Sequence, residues 1–156
     1  MTNEEKQDFM LRISQANKSG LVVILYDMFL TYMKEAKACE PKSAELCTSI
    51  RNSRNVLSEL IASLHMEYDV AKSTCELYRY VERQLIIADV RRDASGLDHA
   101  QSVMQRLRDA YAEVAKQDTS APLMLNADTV YAGMTYGKTD VNTGSTAAGT
   151  NRGFLA

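Results

Sequence analysis

Residues 46–64, LCTSIRNSRNVLSELIASL, set Leu46, Ile50, Ser53, Leu57, Leu60 and Leu64 apart by alternating steps of four and three. In a helix of about 3.6 residues per turn these steps bring all six to one face. Arg51, Arg54 and Glu59 fall on the other face, as a solvated surface requires. The stretch therefore predicts an amphipathic helix lying against a core. The same rule returns at Leu97, Ala100, Met104, Leu107, Tyr111 and Val114, with Gln105, Arg108 and Glu113 turned outward.

Two further stretches lie beside these. One runs from Ser19 to Cys39 and the other from Asp69 to Val90, each with no proline or glycine beyond its first turn. The joints between the four are short. Pro41 suits a first helical turn, Asp69 can cap the helix that follows it, and Asp93-Ala94-Ser95-Gly96 supplies turn and cap chemistry. Helices at about 19–39, 42–65, 69–90 and 95–117, joined so briefly, predict an all-α fold: an antiparallel up-down four-helix bundle filling residues 1–117. From 118 to 156 the composition shifts, and five of the seven glycines lie at or beyond Gly133. Thr143–Thr150 is small and polar and cannot offset its ordering entropy, so a flexible tail is expected. Val130–Lys138 and Gly153–Ala156 are more apolar than a spacer needs, and either could dock on the bundle.

Composition narrows the functional classes. A net charge of −2 gives no general attraction to nucleic acid or anionic membranes. The arginines at 51, 54, 79, 83, 91, 92, 106 and 108 alternate with acids, which is the pattern of a solvated helix face. The longest apolar run, Leu21–Met33, is shorter than the roughly 20 residues a bilayer needs and carries Asp27 at its centre, so no membrane insertion is expected. The polar N-terminus does not read as a signal peptide, and Cys39, Cys47 and Cys75 read as buried thiols of a reducing compartment. These features together point to the cytoplasm.

No catalytic constellation emerges. A di-iron bundle needs Glu-x-x-His pairs, but Ala62 stands three places before His65 and Gly96 before His99. The same two histidines are the only partners for a nucleophilic cysteine or serine, and nothing in the sequence brings them to one. Gly133–Thr139 resembles a phosphate-binding loop with wrong glycine spacing and no helix-forming sequence after it. No enzyme activity, metal or cofactor is expected.

The informative excess is in the first long helix. Between Leu21 and Met33 only Asp27 and Thr31 are polar, whereas a peripheral bundle helix needs one apolar stripe. Leu21, Leu25, Met28, Tyr32 and Ala36 read as the core stripe, leaving Val22, Tyr26, Phe29 and Met33 as a second row. The third helix repeats the surplus: Leu77, Val81, Leu85 and Ala88 make a stripe, and Tyr78, Tyr80, Ile86 and Ile87 remain. Two rows need two covers. Either the helix is central and wrapped by its own chain, or its second row is a groove for a foreign apolar segment.

Ile13–Asp27, ending in Leu25-Tyr26-Asp27, resembles the opening of the flagellin-specific export chaperone FliS family. Glu59-Leu60 with Leu64, Leu77-Tyr78-Arg79-Tyr80, Ala88-Asp89 and Leu107-Arg108-Asp109-Ala110-Tyr111 follow in the family's order, so the resemblance spans about residues 9–115. It implies a cytoplasmic four-helix chaperone that binds the disordered C-terminal segment of flagellin, prevents premature polymerisation and aids type III export. A flagellar co-chaperone or regulator could share the surface, and the free protein would be a monomer or weak dimer. Leu25, Tyr26, Leu77, Tyr78 and Tyr80 carry over as client-binding positions, with Phe9 near a family tyrosine that can lie over the groove. Val22, Phe29 and Val81 complete the expected site from the apolar rows. The chain departs from the family at Asn17-Lys18, Met28 and Arg79, where a Ser-Pro, a glycine and an acidic residue are usual. The alternative reading is a bundle that forms a homo-oligomer or acts as an adaptor with no exported client.

Overall fold

The computed structural model describes residues 1–124. Among them the chain is all-helical and has no strand: α1 (Asn3–Gln15), α2 (Lys18–Ala38), α3 (Ala44–Ala62), α4 (Asp69–Arg91) and α5 (Asp98–Gln117). The four expected helices correspond to α2–α5, and α1 is a fifth. Its start is fixed locally by a capping box. The Thr2 hydroxyl accepts from the Glu5 amide at 3.2 Å while the Glu5 carboxylate accepts from the Thr2 amide at 2.7 Å. What makes α1 hard to find by periodicity is that Phe9 is its only buried residue.

Three boundaries move for local reasons. Pro41 does not begin a helix, because the next residue, Lys42, has φ 66°; α3 starts after Ser43, whose hydroxyl accepts from the Leu46 amide at 3.1 Å. Asp69 is the first residue of α4 rather than its cap, and its carboxylate pairs with Lys72 at 2.8 Å. Ser95-Gly96 belongs to a turn before α5, held by the Asp93 carboxylate accepting from the Ser95 amide at 2.9 Å.

Helix α2 packs on α3 and α5, and α3 on α4, while α4 with α5 and α1 with α2 share smaller interfaces. The main core takes Tyr26, Phe29, Met33 and Ala36 from α2, Leu46, Ile50, Leu57 and Leu60 from α3, and Tyr78, Val81, Leu85 and Ala88 from α4. Leu97, Ala100 and Met104 close it from the α5 side. Each large side chain sealed there stabilises the fold by about 1.5–3 kcal/mol relative to exposure. Ser53 is the small polar member of the α3 face, and its hydroxyl is satisfied by the Ser49 carbonyl at 3.0 Å. The expected α5 stripe does not hold to its end: Leu107 and Tyr111 are half-buried and Val114 is exposed. Of the thiols only Cys75 is buried, with Cys39 and Cys47 partly accessible.

The chain beyond α5 is tied back to the joint between α1 and α2. The Asn17 side chain caps α2 by accepting from the Gly20 amide at 2.8 Å, and its NH2 donates to the Asp118 and Ser120 carbonyls at 3.0 and 3.3 Å. The Ser19 hydroxyl donates to the Asp118 carboxylate, and the Leu123 amide to the Ala16 carbonyl at 2.9 Å. Residues 118–123, placed in the tail by composition, are thus in hydrogen-bonded contact with the helices. The remainder of the expected tail, with Val130–Lys138 and Gly153–Ala156, lies outside the described residues.

Candidate functional site

Helix α2 is enclosed along most of its length, and from Ser19 to Met33 no residue is fully exposed. The apolar surface of α2 has two covers: Tyr26, Phe29 and Met33 of the expected second row are sealed in the main core, while Leu25, Met28 and Tyr32 of the expected core row are only partly buried against it. Tyr26, Phe29, Met33 and Ala36 point into the main core. Leu21 and Ile24 turn the other way, and with Phe9, Ile13 and Ala16 they form a second, smaller apolar cluster under α1, with Met28 packed against both clusters. Both rows are apolar enough to be core. Which one faces inward depends on the rotation of α2 about its axis, and that rotation is set by partners on other helices.

Two of those partners are polar. The Tyr26 and Tyr78 hydroxyls are hydrogen-bonded to each other inside the core, and the Tyr111 ring lies 5.4 Å from that of Tyr26. Burial pushes both hydroxyls well above the ordinary tyrosine range, and Tyr111 is raised by burial as well. Asp27, the next residue on α2, faces out of the core into a gap between α1 and α5. One of its carboxylate oxygens accepts from Arg108 Nε at 2.8 Å and the other from Arg12 Nη2. The Asp27 hydrogen bond raises the Arg108 guanidinium further above its already high range. Arg12 also lies over the Phe9 ring, 5.3 Å from its centre.

The expected site residues therefore fall into three groups. Tyr26, Phe29, Tyr78 and Val81 are sealed in the core and present no surface in this conformation. Phe9, Val22 and Leu25 are buried or partly buried on α1 and α2. On α4, Leu77 is 40% exposed, while Tyr80 is half-buried with its hydroxyl 2.6 Å from His99 Nδ1. The structure thus brings Tyr26 to Tyr78 and Phe9 to α2, but joins the nine residues into no single open groove. Ile24, Leu21 and Met28, together with Arg12 and Asp27, were not singled out as a site from the sequence. The signal that could have found them is the Phe9, Ile13, Ala16 spacing behind the Thr2-x-x-Glu5 box.

Helix α1 does not seal its face completely. A cleft of about 500 Å³ opens beside it, where Arg12, Asn17, Val23, Ile24, Ala112 and Lys116 meet between the end of α1, the start of α2 and the end of α5. Among the described residues no three His, Cys, Asp or Glu side chains converge as metal ligands would, and no helix is long and apolar enough to cross a membrane.

The family model described as flagellar protein FliS matches residues 1–118. The chain belongs to the FliS family. No curated protein is found to match it. The FliS match ends one residue past α5 and includes α1, so the covering helix and the α2 face beneath it both lie within the FliS-like part of the chain.

Proposed function

We propose that this FliS-family protein is a cytoplasmic flagellar export chaperone that holds the disordered C-terminal segment of flagellin, keeping it from polymerising before type III export. Helices α2–α5 act as an antiparallel up-down bundle, and the client takes the place of α1 on α2. The observation that carries this reading is the small apolar cluster between them. Leu21, Ile24 and Met28 are a ready-made apolar face, and the helix covering it contributes Phe9 as its one buried residue. A cover with so small an apolar contact can be exchanged for a segment with more apolar side chains. The cleft beside Ile24 gives that segment a place to start.

Val22 and Leu25 flank the vacated face, and Leu77 and Tyr80 on α4 offer a second contact for a client long enough to reach round the bundle. Tyr26, Phe29, Tyr78 and Val81 then serve from inside, by fixing the helices that carry the surface. Four or five docked side chains at about 1.5–3 kcal/mol each exceed the roughly 2–5 kcal/mol that ordering a disordered partner costs. The test is calorimetry with a peptide of about 40 residues from the C-terminus of the cognate flagellin, where apolar burial gives a negative heat-capacity change. A one-to-one complex is expected. No heat and no complex would overturn the assignment.

A further inference from the structure

We propose that Asp27 selects the client: the segment that replaces α1 on α2 is an amphipathic helix bearing an arginine or lysine three residues after an aromatic or large aliphatic side chain, as α1 bears Arg12 after Phe9. This rests on the reading of α2 as the client face and adds a charge requirement to it.

The basis is the one carboxylate in an otherwise apolar stretch. The Asp27 side chain is only 17% exposed, and its two oxygens are divided between guanidiniums from two different helices. Arg108 belongs to α5 and stays when α1 leaves. Arg12 leaves with α1, and the oxygen it held is then left at the edge of a face formed by Leu21, Ile24 and Met28. A purely apolar segment laid on that face would cut this oxygen off from water without giving it a donor, which is costly for a charged group. A cationic side chain in Arg12's place restores the pair. The spacing follows from α1 itself, because residues three apart share a helix face and Arg12 reaches Asp27 while Phe9 fills the apolar cluster. The carboxylate thus rejects neutral apolar helices that the rest of the face would accept, and fixes the register of those that bind.

The experiment uses the full chain and the 40-residue flagellin peptide, with each lysine and arginine of the peptide replaced singly by alanine. One position is expected to weaken binding to the parent chain about tenfold or more. Against Asp27→Asn the same replacement should lose nothing further. Arg12→Ala, which weakens the internal competitor and leaves Asp27 in place, should tighten the unaltered peptide several-fold, and it carries the test if Asp27→Asn fails to fold. Peptide binding that tolerates every single replacement overturns the charge requirement while leaving the chaperone reading intact; binding unchanged by Arg12→Ala overturns it together with the exchange of α1 for the client. No binding by the parent chain overturns both.

Discussion

The hydroxyls of Tyr26 on α2 and Tyr78 on α4 meet inside the core, each the other's hydrogen-bond partner, with both side chains essentially fully buried. Replacing one by phenylalanine leaves the other hydroxyl buried without its partner, whereas replacing both removes the need for one. Tyr26→Phe or Tyr78→Phe alone should therefore cost about 1–2 kcal/mol in urea unfolding, and the double variant clearly less than the sum of the two. Additive losses would show that the pair is not coupled.

The same burial sets a high-pH limit. Both hydroxyls titrate above the ordinary tyrosine value of about 10 in the folded chain, so the unfolded chain loses its protons first. Their contribution is fully present below about pH 10 and falls as the pH rises beyond it. Unfolding followed by tyrosinate absorbance should show two tyrosines ionising only with loss of helix. The Tyr26→Phe, Tyr78→Phe double variant should move that transition to higher pH.

Two loops at one end of the helices are joined through left-handed residues. Arg92, at φ 52°, ends α4, and its carbonyl accepts from the amide of Lys42, at φ 66°, at 2.9 Å. Both positions favour glycine. Arg92→Gly and Lys42→Gly should each be neutral or stabilise the chain by up to about 1 kcal/mol in thermal unfolding, while a β-branched residue at either should destabilise it.

Asp118 is half-buried, and its carboxyl is lowered to about 2 by hydrogen bonds from Ser120 and Ser19. A depressed carboxylate contributes above its unfolded value of about 3.9 and loses that contribution as the pH falls through its folded value. Acidification from about pH 4 toward 2 should therefore release the segment after α5. Amide exchange at Leu123, which bonds to Ala16, reads this directly. Asp118→Ala should raise that exchange at neutral pH.

Helix α1 should be separable from the rest in stability. Phe9→Ala removes the main apolar contact of the small cluster and should weaken α1 docking by about 2–3 kcal/mol. Amide exchange should rise across α1, with the protection of α3 and the core half of α4 unchanged. Peptide binding on α2 should tighten in step. Equal loss of protection throughout would mean that α1 is an integral part of the core.

How much of this was legible from residues alone differs element by element. Leu46, Ile50, Leu57 and Leu60 follow a periodicity with one apolar face, and a helix with one such face has one way to bury it. On α5 the periodicity continued through Val114 but the packing did not, because spacing records which residues share a face and not how far the neighbouring helix runs beside it. α1 is hard to read for the opposite reason: its apolar stripe is short, and only the Phe9, Ile13, Ala16 spacing and the cap chemistry at Thr2 and Glu5 mark it as a helix.

The sequence by itself determined that the chain is helical, where α2–α5 lie to within a few residues, that residues 9–115 resemble the FliS family, and that Leu21–Met33 has two apolar rows where a peripheral helix needs one. These are properties of spacing and residue type, and they need no knowledge of neighbours. Only the tertiary structure decided which row faces the core and what covers the other. With both rows apolar, spacing alone does not choose the rotation of α2; the one adopted brings together groups far apart in sequence, Tyr26 with Tyr78 and Asp27 with Arg12 and Arg108. Tyr26 and Tyr78, client-binding positions by resemblance, are core, and the face that remains lies under α1.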